Sequence, residues 1–203
     1  ALGIKLATKL GSDIVIGTDP DCDRMGIAIR NDKNEFVLLN GNQIGAMMMD
    51  YILMRHQQLG TLPKNAAVVK TIVTTKFADR IARSYGVAVY DVLTGFKFIG
   101  EQIRNFEATG SNEYLFGFEE SYGCLVGTHA RDKDAIMAVM LLCEAAAYYK
   151  KQGLTLWDKM IKMYDEYGYY KEDTISKTFE GSEGAKEIEK IMKNYRENPP
   201  KEI

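Results

Sequence analysis

The residues best suited to chemistry in this chain are three aspartates in one short stretch, Thr18-Asp19-Pro20-Asp21-Cys22-Asp23-Arg24. They stand at i, i+2 and i+4, directly after Asp13–Gly17, which reads as a short buried strand. In an extended loop that spacing brings alternate side chains to one side. Three converging carboxylates repel one another strongly unless a cation sits among them. Oxygen-only ligands select a hard ion, magnesium, calcium or manganese, over zinc. Three protein ligands leave coordination positions open, and magnesium commonly fills such positions with phosphate oxygens and water. Arg24 adds a fixed positive charge beside that place, suited to a phosphate.

Two other acidic loops fail on spacing. An EF-hand beginning at Asp19 needs glycine at Arg24 and glutamate at Arg30. The haloacid-dehalogenase phosphatases also open with two aspartates after a strand, but expect threonine or valine where Asp23 stands. The bland alternative is a solvated acidic turn.

A second constellation is Phe116-Gly117-Phe118-Glu119-Glu120-Ser121-Tyr122-Gly123. A strand ends, two carboxylates and a hydroxyl follow, and Gly123 permits a tight turn. Paired acceptors and an aromatic ring suit vicinal sugar hydroxyls. His129-Ala130-Arg131-Asp132-Lys133-Asp134 then supplies positive groups for a phosphate or for proton transfer. Taken alone, a polar surface loop would look the same.

The elements that must position these residues follow from periodicity. Leu2, Leu6 and Leu10 fit one face of a helix, with Gly11 placed to end it. Ile27 and Ile29 alternate with small residues, and Asn31-Asp32-Lys33-Asn34 makes a hairpin turn before Glu35–Leu39. These first 40 or so residues lack the apolar area for a core of their own. From Gly41 a new unit begins. Ile44, Met47, Met48, Tyr51 and Ile52 recur at helical spacing, and Gly60 stops the helix. Strands are expected at Ala66–Val73, Val87–Val92 and Tyr114–Phe118. Helices are expected around Phe77–Ala82 and Phe98–Ile103. The segment from Glu119 to Lys133 reads as a polar loop. Asp134 caps a long helix through Tyr149, and Thr155 with Asp158 forms a capping box for another. Beyond Gly168, Tyr169–Phe179 reads as a strand and Ser182–Arg196 as a charged amphipathic helix. Strands alternating with helices indicate a layered α/β domain.

Composition narrows the function. With a net charge of -2 the chain lacks the basic face that non-specific nucleic-acid binding needs. No apolar run approaches the ~20 residues that cross a bilayer, so no membrane partner is expected. Three widely spaced cysteines suggest neither a disulfide framework nor a zinc site, and a reducing cytoplasm is the default. The chain starts at Ala1 inside a helix and stops at Pro199-Pro200-Lys201-Glu202-Ile203, so it reads as a piece of a larger protein.

Taken together, the two loops resemble a known family. Asp-x-Asp-x-Asp-Arg at 19–24 resembles the metal-binding loop of the α-D-phosphohexomutases. Gly-Phe-Glu-Glu-Ser-Tyr-Gly at 117–123 is similar to that family's sugar-binding loop, and Leu93-Thr94-Gly95-Phe96-Lys97-Phe98 to a third segment that contacts substrate. Order and separation match as well, from Ala1 to about Tyr170. The resemblance implies residues 1–40 closing a second, metal-loop domain and 41–170 forming a third, sugar-binding one. Residues 171–203 would lead toward a fourth. The fold implied is a three-layer α/β/α domain with a small mixed sheet, plus part of the preceding domain.

Carried over by position, Asp19, Asp21 and Asp23 would bind Mg2+, with a phosphoserine from outside this chain completing the coordination. Arg24 would steady the phosphate or the transition state. Glu119 and Ser121 would hydrogen-bond sugar hydroxyls. Thr94, Gly95 and Lys133 would line the sugar site, with Lys133 the leading candidate for proton transfer and His129 a weaker one. The implied reaction moves a phosphoryl group between O1 and O6 of a hexose phosphate through a bisphosphate. Glu-Glu-Ser-Tyr looks more like the glucose-type members than the phosphoglucosamine mutases. Asp-Pro-Asp-Cys-Asp-Arg also resembles a branch containing phosphopentomutases, which leaves pentose phosphates open. The family's Ser-His-Asn-Pro nucleophile motif and its arginine-bearing phosphate loop are absent from these 203 residues. The chain is therefore expected to depend on the remaining domains of a parent and to be inactive alone.

Overall fold

The computed structural model describes residues 2–172 and 177–201, which fall into two compact units, Ala1–Tyr170 and Lys171–Ile203. The first unit opens with α1 (Leu2–Leu10). An antiparallel meander follows, β1 (Ile14–Thr18), β2 (Met25–Arg30) and β3 (Phe36–Leu38), in that spatial order. Ile16 lies opposite Ile27, so the acidic loop is the connection of a β1–β2 hairpin. Asn31 closes the β2–β3 turn, its side-chain oxygen accepting from the Lys33 and Glu35 amides.

Helix α2 (Gly41–Leu59) starts at Asn40, which forms a reciprocal capping box with Gln43, and stops at Gly60 in the left-handed conformation. The chain then runs β4 (Ala66–Thr71), α3 (Phe77–Ser84), β5 (Ala88–Val92), α4 (Phe96–Thr109), β6 (Glu113–Phe118), β7 (Cys124–Val126), α5 (Ala135–Lys151) and α6 (Leu156–Tyr167). Their sheet has the order β5-β4-β6-β7, with β4 parallel to β5 and β6, and β7 antiparallel. It is the small mixed sheet expected.

Burial on β4 shows the layering. Ala66 and Val68 enter a core built with α2, α3, α5 and α6, whereas Ala67 and Val69 enter a second core with Phe96, Ile99, Ile103 and Phe106 of α4. Helices therefore cover both faces, and the domain is α/β/α. β4 precedes both of its neighbours in sequence, so the strand order reverses beside it. In such sheets the crevice outside the carboxyl ends of the strands at the reversal is where ligands bind.

Met25, Ile27, Ile29 and Leu39 of the first 40 residues lie in the same core as α2, α5 and α6. A small meander cannot shield its own apolar face, so it buries that face on these helices.

Several bounds differ from the sequence expectation. Residues 124–126, read as part of a polar loop, form β7, because Cys124 and Leu125 are buried opposite Phe118 and Gly117. Helix α4 runs to Thr109 rather than Ile103, since Phe106 also faces the sheet and Gly110 then ends the helix. β4 stops at Thr71, where the Thr74 amide turns back to the Thr71 carbonyl and leaves Ile72 and Val73 exposed. The described part of 169–179 has no strand, and residues 173–176 of that expectation lie outside the described residues. In the second unit α7 (Gly181–Glu197) matches the expected amphipathic helix to within a residue at each end. Among the described residues no helix is long and apolar enough to cross a membrane.

Candidate functional site

The acidic loop is built locally. Asp19 Oδ1 accepts from the amides of Asp23 at 3.1 Å and Arg24 at 3.0 Å, and the Cys22 amide donates to the Asp19 carbonyl at 3.0 Å. Cys22 takes φ of 59°, a left-handed conformation that non-glycine residues adopt at a cost. That kink folds the loop so that one carboxylate oxygen from each of Asp19, Asp21 and Asp23 lies within 4.8 Å of the others. The Arg24 amide bond, more than any other influence, holds the Asp19 carboxyl below its ordinary range, although burial partly opposes it. Arg24 Nε lies 3.5 Å from Asp19 and 3.4 Å from Asp23.

These residues fit a divalent ion on their own evidence. The three oxygens are close enough to share one ion at ordinary oxygen–cation distances. Asp23 Oδ1 is buried and accepts no hydrogen bond, having only the 3.4 Å ion-pair contact with Arg24 Nε named above, so a cation would satisfy it. The donor set is all carboxylate, which suits a hard ion.

The second loop is built from a distance. Glu119, at the end of β6, is 6% exposed. It accepts from the Gly95 amide at 3.2 Å, and Ser121 Oγ approaches it at 3.5 Å. Burial is the largest influence on Glu119 and raises its pKa, with the Lys133 charge pulling the other way. Thr94 is exposed beside Gly95, which has φ of 118° and opens α4. Thr94, Gly95, Glu119 and Ser121 therefore converge at the carboxyl ends of β5 and β6.

Two contacts join the loops. Arg24 and Gly123 form an isolated antiparallel bridge, and the Met25 amide donates to the Tyr122 carbonyl at 3.3 Å. Lys133 Nζ then lies 3.0 Å from Asp23 Oδ2 and 3.0 Å from Asp132 Oδ1. Burial pulls the Lys133 ammonium down, but the bonds to Asp23 and Asp132 outweigh it and hold it above its ordinary value. His129 stands apart, paired with Asp134 Oδ2 at 2.9 Å. Asp134 is the N-cap of α5, so that pair serves the helix start.

Three supporting features were not read from the sequence. Gly41 and Gly45 form a notch on α2, where an added Cβ would collide with the Glu120 carbonyl oxygen and the Phe118 ring. Glycines one turn apart at a helix start were the available signal. Glu120, the second carboxylate of the Glu-Glu pair, turns inward, with Oε2 facing the Thr71 hydroxyl at 3.3 Å and the Thr74 hydroxyl at 3.5 Å. Asp132, the partner of Lys133, stood in plain sight but had no spacing rule to single it out.

A metal-type acidic loop bridged to a Glu-Glu-Ser loop at the switch point of an α/β/α sheet defines a phosphohexomutase-like class. Comparison with known proteins agrees. The family described as "Phosphoglucomutase/phosphomannomutase, alpha/beta/alpha domain III" matches residues 40–167. A phosphoglucomutase of Staphylococcus aureus (strain MRSA252) is 40% identical over 200 residues, covering 98% of this chain and 35% of that protein. A solved structure described as a phosphomannomutase from Thermus thermophilus superposes with a TM-score of 0.63 at 26% identity, covering 82% of this chain and 34% of that one. N-acetylphosphoglucosamine mutase of Aspergillus fumigatus, solved with GlcNAc-6P and magnesium, superposes with a TM-score of 0.55 at 18% identity, over 74% of this chain and 35% of that one, and shares the fold. The chain belongs to the α-D-phosphohexomutase family, in its phosphoglucomutase/phosphomannomutase line. It spans about a third of the length of the curated relatives it matches.

Proposed function

We propose that the chain supplies the metal loop and the sugar loop of a phosphoglucomutase-type enzyme that interconverts hexose 1-phosphate and hexose 6-phosphate. Its residues 1–40 would close the metal-loop domain, 41–170 form the sugar-binding domain and 171–203 lead toward the next. The observation that carries this reading is the Lys133–Asp23 contact of 3.0 Å. It puts a candidate proton carrier of the sugar side against a carboxylate of the metal side, so both loops address one place.

Asp19, Asp21 and Asp23 would hold Mg2+, which supplies a Lewis acid that offsets charge developing on a transferring phosphoryl group. The rest of the chemistry concerns this chain's own side chains. Arg24 presents a permanent cation beside the same loop, where it can stabilise phosphoryl oxygens that gain charge. Buried Glu119 and Ser121 would hydrogen-bond adjacent sugar hydroxyls and fix the ring. A sugar phosphate that must bind in two orientations needs hydroxyl contacts that survive the turn, and a carboxylate with a neighbouring hydroxyl meets that need. Lys133 would move a proton at the attacking or leaving sugar oxygen. The phosphoserine nucleophile and the phosphate loop would come from the rest of a parent chain, so these 203 residues alone would not turn over. A phosphatase using Asp19 as nucleophile fits less well, since Asp19 Oδ1 already accepts two backbone amides.

Titration with glucose 1-phosphate in Mg2+, followed by amide chemical shifts, tests the proposal. Saturable shifts at Thr94, Gly95 and Glu119–Ser121, abolished by Glu119→Ala, are expected. No mutase turnover above background should accompany them. Lack of any saturable response, or a trapped phosphoryl adduct on Asp19, would sink it.

A further inference from the structure

We propose that Lys133 is the resident counter-ion of the acidic loop and exchanges with the divalent ion, so that metal binding frees the ammonium for the sugar loop. The inference rests on reading Asp19, Asp21 and Asp23 as a metal site, and concerns what occupies Asp23 before the ion does. Lys133 Nζ bonds one oxygen of Asp23 at 3.0 Å, while the other oxygen of that carboxylate is buried, accepts no hydrogen bond and has Arg24 Nε at 3.4 Å as an ion-pair partner. The ammonium is held there by its stem. Its side chain is only 14% exposed and runs across Gly123, where an added Cβ would collide with Lys133 Cδ. The ring centroid of Phe96 lies 5.5 Å from Nζ. Gly123 itself is fixed by its bridge to Arg24, at the end of the acidic loop.

Charge balance gives the exchange its direction. Without an ion, three carboxylates face Arg24 and Lys133. An incoming divalent cation beside an ammonium on a shared carboxylate meets like-charge repulsion at contact distance. The ammonium has somewhere to go, because Asp132 Oδ1 is already 3.0 Å away. Reciprocity then follows: whatever Lys133 costs the metal, the metal costs the Lys133–Asp23 contact.

Mn2+ titration of the intact chain, monitored calorimetrically, tests this. Lys133→Met keeps the stem over Gly123 and removes the charge, and should bind Mn2+ about tenfold more tightly than the parent. Lys133→Arg keeps the charge and should stay close to the parent. The gap should persist at about 0.5 M KCl, since contact between the groups is screened far less than a general field. Equal or weaker Mn2+ binding by Lys133→Met overturns the exchange while leaving the metal site intact, and so does a gap that salt erases. If neither chain binds Mn2+, the metal site itself falls and the exchange with it. Circular dichroism confirms folding, and Lys133→Gln repeats the test should the methionine variant fail to fold.

Discussion

The acidic loop and the sugar loop lie side by side but are made in opposite ways. The acidic loop is closed by bonds spanning four or five residues, from Asp19 to the amides of Asp23 and Arg24. The sugar loop is held by groups 24 to 49 residues away, Gly95 for Glu119 and Thr71 and Thr74 for Glu120. Their electrostatics differ in the same sense. Backbone amides favour the Asp19 anion, whereas burial penalises the Glu119 anion. A loop whose shape is local can spend its residues on a ligand at little cost to the fold. A loop assembled from distant parts couples its function to the fold.

That contrast can be broken by substitution. The largest effect should come from Gly41→Ala, because its new Cβ would press on the Glu120 backbone, which cannot move aside as a side chain can. A loss of about 3 kcal/mol in denaturant unfolding is expected, together with loss of sugar-phosphate response. Near-parent stability would mean that the notch does not seat the sugar loop. Next, Glu120→Ala removes the carboxylate facing the Thr71 and Thr74 hydroxyls and should cost about 1–2 kcal/mol. Mn2+ affinity should be unchanged, and a fall in it would show that the two loops are not separately built.

The pH dependence sharpens the comparison. Glu119 has a raised pKa in the fold, so its favourable contribution is full below its ordinary value of 4.5 and is lost as pH rises. Glu119→Gln should therefore stabilise the chain at pH 7, and the gain should vanish below about pH 4. Asp19 has a lowered pKa, so its contribution is full above 3.8 and is lost as pH falls below it. Asp19→Asn should lower the melting temperature at pH 7 and converge with the parent in acid. Thermal melts of both variants from pH 3 to 7 would show opposite signs, and a shared sign would contradict the electrostatic contrast. The smallest effect on stability belongs to Asp21→Ala. Asp21 is exposed, so unfolding without metal should change by no more than about 0.5 kcal/mol. The Mn2+ response should nonetheless disappear.

The same contrast decides what the sequence could reveal. Three aspartates at alternate positions could be read as a candidate ion site because their spacing is local, and one oxygen of each does lie within 4.8 Å of the others. Helix α2 and its stop at Gly60 were equally legible, since caps and 3.6-residue periodicity are local signals. The partners of Glu120 were hidden because Thr71 and Thr74 reach it only once β4 and β6 pair. The strand at 124–126 was hidden for the same reason, its burial depending on Phe118 across the sheet rather than on its own short pattern. The Lys133–Asp23 contact joins residues 110 positions apart, and nothing in either segment names the other.

Whether the two loops form one site is tested most directly by paramagnetic broadening of backbone amides with substoichiometric Mn2+. One site at the acidic loop should bleach 19–24 first and, together with them, Tyr122, Gly123 and Lys133, which the Arg24–Gly123 bridge holds alongside. Bleaching confined to 19–24, or scattered over unrelated acidic surface, would contradict a shared site.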